Sequence, residues 1–137
     1  MGRILAIDLG TKRTGLAVTD TLKMLANPLE TIETEKLIPY LRNYFEKEEV
    51  EVIVLGYPIR LNGKYNEMTP KVLSMKDRIK TFFPDKVIEL VDERFTSKMA
   101  MDSMIAMGSK KKDRKEKAGN LDKVSAAIIL QSYLEKL

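Results

Sequence analysis

The chain has 137 residues, 44% of them hydrophobic and 32% charged, and 24 Lys and Arg against 20 Asp and Glu leave a net charge of +4. That size and balance fit one folded domain, residues 1–137, able to bury about two-thirds of its unfolded surface, and not a disordered segment. With neither Cys nor His, the chain is excluded from thiol nucleophiles, histidine bases, Ser-His-Asp triads, His/Cys zinc sites and disulfides.

The missing disulfides suit a reducing compartment, and the expectation is the cytoplasm. The opening Met1–Gly10 is too short an apolar run, and meets Asp8 too early, for a signal peptide or membrane span. Any enzyme built from this chain must work with carboxylates, lysines, hydroxyls or an oxygen-bound metal.

In chain order, Arg3–Leu9 is an apolar run that predicts a strand, and Thr14–Thr19 predicts a second. The short link Gly10-Thr11-Lys12-Arg13 makes an antiparallel hairpin the economical connection. Pro28–Glu33 is a weaker third strand. Leu37, Ile38, Leu41, Tyr44 and Phe45 recur at helical spacing, predicting a helix over Leu37–Glu48 with Pro39 tolerated in its first turn. Val50–Leu55 is a β-branched run suited to the middle of a sheet covered on both faces. Asn62-Gly63 signals a turn. Thr69-Pro70 predicts a helix with Thr69 as its N-cap, reaching about Phe83. A strand over Val87–Val91, a helix over Thr96–Met107 and a last helix over Asn120–Leu137 complete the chain. The order predicts an α/β fold, a mixed sheet with helices on both faces.

Charge is concentrated between Gly108 and Asn120, where Lys110, Lys111, Lys112, Arg114, Lys115 and Lys117 oppose Asp113 and Glu116. That excess equals the net charge of the whole chain. The run reads either as a solvated loop or as a phosphate-contacting arm. Met99, Met101, Met104 and Met107 read as core filler or as an adaptable contact surface.

Three acids stand out. Asp8 ends a strand and alternates with Ile4 and Ala6, so its carboxylate points where apolar groups point, either capping the next turn or binding metal. Of Asp92 and Glu93, which face opposite ways at a strand end, one can face a cleft while the other pairs with Arg94. Asp122 falls in the first turn behind an Asn120 N-cap, where it favours the helix dipole. It also begins the line Asp122, Ala126, Ile129, Tyr133 on the helix's apolar side. Such an all-oxygen set suits Mg²⁺ or Mn²⁺, which activate water and stabilise a leaving oxygen in phosphodiester cleavage.

These residues resemble the YqgF/RuvX family. The likeness is carried by Asp8 to Ala17 (DLGTKRTGLA), by Gly56-Tyr57-Pro58 with Asn62-Gly63, by Asp92-Glu93-Arg94-Phe95-Thr96-Ser97 with Ala100, and by Asp122 to Ala127 through Gln131. Four motifs in order over the whole length are a specific signal. The resemblance implies an RNase H-like fold with a five-stranded mixed sheet and a metal-dependent endonuclease acting in precursor 16S rRNA processing during ribosome biogenesis, or on Holliday junctions. It places the catalytic and metal-binding acids on Asp8, Glu93 and Asp122, with Asp92 as the alternative or additional ligand. Ser97 replaces the motif's usual second Thr and keeps the hydroxyl.

The expected cofactor is Mg²⁺ or Mn²⁺. The expected partner is nucleic acid, as structured RNA or branched DNA, including ribosomal precursor particles. Lys12, Arg13, Arg94, Lys110, Lys111, Lys112 and Arg114 are the candidate phosphate contacts. A monomer or weak homodimer with no membrane contact is expected, and junction cleavage would need two active sites. Two other readings compete: a silent nucleic-acid or ribosome-binding module, and an actin-like ATP-binding domain suggested by Asp8-Leu9-Gly10-Thr11. Length opposes the latter, since such proteins close two domains over the nucleotide.

Overall fold

The structure is a computed structural model, and it describes residues 2–57, 68–92 and 118–135. Five strands form one sheet in the order β3-β2-β1-β4-β5. They are β1 (Arg3–Leu9), β2 (Arg13–Thr19), β3 (Ala26–Glu33), β4 (Val50–Tyr57) and β5 (Val87–Asp92). β1, β2 and β3 run as an antiparallel meander, while β4 and β5 lie parallel to β1. A 3-10 turn, Thr34–Lys36, leads from β3 into α1 (Leu37–Lys47); α2 (Thr69–Phe82) connects toward β5, and α3 (Ala118–Glu135) closes the described chain. The predicted mixed sheet with helices on both faces is the observed architecture.

Strand alternation divides the core in two. Leu5, Ile7, Leu16, Ile53 and Leu55 face α1 and α2, meeting Leu37, Leu41, Val72 and Ile79. Ile4, Ala6, Ala17, Val54 and Val91 face α3, meeting Ala126, Ile129 and Leu130. β4 supplies both cores, as a β-branched run covered on both sides should. Aromatic contacts tie α1 to the end of α2: Phe45 meets Phe83 edge-on at 4.9 Å, and the Arg42 guanidinium lies 5.7 Å from the Phe82 ring.

Two helix starts differ from expectation. Thr69 is not an N-cap. It is the first helical residue and fully buried, while Met68 occupies the cap position without a side-chain cap, and its carbonyl accepts from the Val72 N–H at 2.9 Å. Pro70 is still tolerated, because first-turn N–H groups have no helical acceptor. Asn120 is not an N-cap either, since α3 already includes Ala118 and Gly119. Asp122 therefore sits beyond the first turn, and the dipole account of its position weakens. A glycine in a helix costs about 1 kcal/mol, which an 18-residue helix burying Ala126, Ile129 and Leu130 can absorb. The helix expected over Thr96–Met107 and the Asn62-Gly63 turn lie outside the described residues.

Candidate active site

Parallel pairing brings the carboxyl ends of β1, β4 and β5 to one edge of the sheet. Ile7 pairs with Leu55, Gly56 with Val91, and Tyr57 with Asp92, so Asp8 and Asp92 end neighbouring parts of the same rim. In sheets with parallel strands this rim is where ligands are met. Asp8 pairs with Gly15 across the β1–β2 ladder, is half-buried and follows the alternation of Ile4 and Ala6 onto the α3 face. Position 122 lies one helical turn before Ala126, in the line of α3 that packs against that face through Ala126, Ile129 and Tyr133. The fold thus assigns Asp8 and position 122 to the same side of the sheet.

Glu93 and Arg94 lie outside the described residues, as do Lys110, Lys111, Lys112 and Arg114. Among the described residues no three His, Cys, Asp or Glu side chains form a metal-binding group. Asp8 brings a carboxylate, the kind of oxygen donor that a hard divalent cation takes, to a rim of parallel strands.

Lys12, in the turn between β1 and β2, and Arg13, the first residue of β2, are exposed and follow directly on that rim. Thr11 and Lys12 face Glu33 and Glu35 across a cleft of about 330 Å³. Lys36 counters Glu33 at 3.6 Å. At Gly10 any side chain is excluded, because a Cβ would collide with the Arg13 carbonyl oxygen. The Thr34 N–H donates to the Lys12 carbonyl at 2.9 Å, and the Thr34 hydroxyl donates to the Gly10 carbonyl at 2.8 Å. Sequence reading missed Thr34, because a threonine just past a weak strand carries no motif.

A second cleft, of about 310 Å³, lies on the α1 side of the sheet between Glu30, Tyr40, Asn43, Tyr44 and Lys47. Burial, and then the hydrogen bond to Glu30, push the Tyr40 phenol well above its usual range, so it stays neutral. No helix among the described residues is long and apolar enough to cross a membrane.

The family model described as "RuvX: Holliday junction resolvase" matches residues 2–136. The chain belongs to the RuvX family. Curated members covering it almost end to end carry the name "Putative pre-16S rRNA nuclease". One from Flavobacterium psychrophilum is 49% identical over 136 residues, covering 99% of this chain and 98% of the relative. One from Phocaeicola vulgatus is 48% identical over 135 residues, covering 98% and 96%. This RuvX-family chain is accordingly a nuclease, a hydrolase of phosphodiester bonds.

Two solved structures share its fold. The Fowlpox virus resolvase, solved with substrate Holliday junction DNA, superposes with a TM-score of 0.61 at 16% identity, over 98% of this chain and 97% of that one. RuvC from T. thermophilus, solved with a Holliday junction substrate, gives 0.56 at 16% identity, over 99% and 96%. The RNase H-like fold expected from the motifs is the fold observed.

Proposed function

We propose that this RuvX-family nuclease cuts precursor 16S rRNA, using a divalent metal held by Asp8, Glu93 and Asp122. What supports the reading is Asp8 at the carboxyl rim of the parallel strands, on the sheet face against which α3, the helix that includes position 122, packs. Full-length relatives named for pre-16S rRNA support the substrate class.

Glu93 is taken over Asp92 as the third acid, as the family motif Asp92-Glu93-Arg94 implies. Mg²⁺ or Mn²⁺ bound there would activate water and stabilise the leaving oxygen. The chain's own part is to place carboxylate oxygens around the scissile phosphate and to hold flanking phosphates. Lys12 and Arg13 hold them from the β1–β2 turn and the start of β2, with Arg94, Lys110, Lys111, Lys112 and Arg114 joining from segments adjacent in sequence to the acids. The work belongs to the cytoplasm, on ribosomal precursor particles, and needs only a monomer.

The test is cleavage of precursor 16S rRNA and of a four-way DNA junction side by side, with matched Mg²⁺ and salt. Asp8→Asn, Glu93→Gln and Asp122→Asn should each lower cleavage by more than the roughly 10- to 100-fold typical of losing an outer-shell partner, with the fold intact. Asp92→Asn should be milder. Near-normal metal-dependent cleavage by the three variants would remove the site assignment, and preference for the junction would reassign the substrate.

A further inference from the structure

We infer that Thr34 is a positioning residue that fixes the substrate-gripping turn Gly10–Arg13. The inference rests on the nuclease reading above and deepens it. The turn joins β1 to β2 and closes on the Leu9–Thr14 pair of their ladder, and it carries a further fastening from outside both strands. It comes from Thr34, the first residue after β3, at the head of the 3-10 turn.

Three bonds converge on that residue. Its N–H reaches the Lys12 carbonyl at 2.9 Å, and its hydroxyl reaches the Gly10 carbonyl at 2.8 Å. The third is the 2.8 Å contact between the Thr14 and Thr34 hydroxyls. A hydroxyl has a single proton, and Thr34 has spent its own on Gly10, so Thr14 must be the donor. The result is a directional chain from Thr14 through Thr34 to Gly10. It ties both ends of the turn to the residue that follows β3, and Thr14 is fully buried. On the other side the turn is held lightly: the Thr11 hydroxyl donates to the Met68 sulfur at 3.3 Å, and a thioether is a weak acceptor.

Asp8 is anchored independently of this chain, by the β1–β2 ladder opposite Gly15. Loosening the strap therefore releases Thr11 and Lys12, which would contact phosphates, while leaving Arg13 in the β2–β3 ladder and the metal-binding carboxylate in its strand. The expected signature is a change in substrate grip without a change in turnover. A residue serving stability alone would lower the melting temperature and leave both untouched in the folded enzyme.

The experiment compares full-length Thr34→Val and Thr34→Ser with wild type. Affinity is read by anisotropy on a fluorescein-labelled stem-loop RNA carrying a single-stranded flank, with Ca²⁺ present, and cleavage of the same RNA is followed with Mg²⁺. Thr34→Val should raise Kd and KM by about 3- to 10-fold, the ratio that roughly 1 kcal/mol from lost hydrogen bonds gives, and leave kcat within about twofold. Thr34→Ser keeps the hydroxyl and should behave as wild type. Thr14→Val, which removes only the donor to Thr34, should move Kd the same way by less, and it decides the matter if Thr34→Val does not fold.

Unchanged Kd and KM in the valine variants overturns the inference, as does a fall in kcat at constant KM. A wild type that binds this RNA and cuts neither RNA nor junction removes the nuclease reading, while the Kd comparison still decides the role of Thr34. A wild type that neither binds nor cuts removes both.

Discussion

The two faces of the sheet are built from side chains of different size. Toward α1 and α2 the strands present Leu5, Ile7, Leu16, Ile53 and Leu55. Toward α3 they present Ala6 and Ala17 beside Ile4, Val54 and Val91, and the helix answers with Ala126. Burying a large aliphatic side chain contributes about 1.5–3 kcal/mol, so the α1/α2 face carries most of the hydrophobic stabilisation. Alanine against alanine contributes less, but it lets a helix backbone lie close to the strands. Asp8 and position 122 both belong to this closely packed face. One face carries most of the apolar burial; the other holds the helix of the proposed site against the sheet.

Substitutions matched across the sheet can break that comparison, and they carry the largest effect. Leu55→Ala should cost about 2–5 kcal/mol through transfer and cavity terms, yet the molecules that remain folded should cleave at nearly the normal rate. Ala126→Leu should cost only about 1–3 kcal/mol through overpacking, yet cleavage should fall well beyond what the folded fraction explains. The reason is that Ala126 stands one turn from position 122 and touches the face that carries Asp8. Denaturant melts and steady-state cleavage on the same preparations separate the two losses. Equal activity per folded molecule in both variants would abolish the division of labour.

The same division explains what could be read from the chain alone. β1, β2 and β4 are legible because their apolar runs are long and feed large cores, and the Gly10 turn announces an antiparallel partner. The side taken by Asp8 was legible too, since Ile4 and Ala6 share its period. β3 begins at Ala26, two residues before its expected start, because an edge strand with one half-covered side shows little alternation. The α3 start was misread because Gly119 and Asn120 look like a boundary, and tertiary burial further along the helix overrode that local signal. Thr34 was illegible for a different reason. Its importance lies in two carbonyls and a hydroxyl 20 to 24 positions away in the chain, and nothing local marks such a partner.

A smaller effect sharpens the comparison by addressing charge instead of packing. The basic run from Lys110 to Lys117 immediately precedes α3 in sequence, and α3 is the helix of the site-bearing face. Replacing Lys110, Lys111 and Lys112 by Ala should weaken binding across unrelated RNA sequences. It should also flatten the slope of log affinity against log salt by about two to three units, since each neutralised phosphate contributes about 0.7–0.9. Turnover at saturating substrate should change much less, because none of the three is assigned to the metal. An unchanged slope would leave the run a solvated loop with no part in the site.

The smallest effect belongs to a loop on neither face, at the end of β2 away from Asp8. There the Asp20 carboxylate accepts the N–H groups of Met24 at 2.8 Å and Leu25 at 3.2 Å, closing a loop in which Lys23 takes a φ of 59°. Those backbone donors, Met24 first, hold the Asp20 carboxyl below its usual 3.8. Because the folded state lowers this pKa, the ionised form stabilises the loop at all pH values above 3.8, and that contribution disappears as pH falls through the lowered value. Asp20→Asn keeps an oxygen acceptor of the same shape without the charge, so it imitates the protonated acid. The melting temperatures of wild type and Asp20→Asn should therefore differ slightly at neutral pH and converge in acid below 3.8. Cleavage at neutral pH should be the same in both, since the loop lies at the far end of the sheet from the rim that carries Asp8. A difference in melting temperature that persists in acid would deny the carboxylate its role in the loop. Lost cleavage in this variant would show that the site draws on parts of the fold beyond the α3 face and its rim.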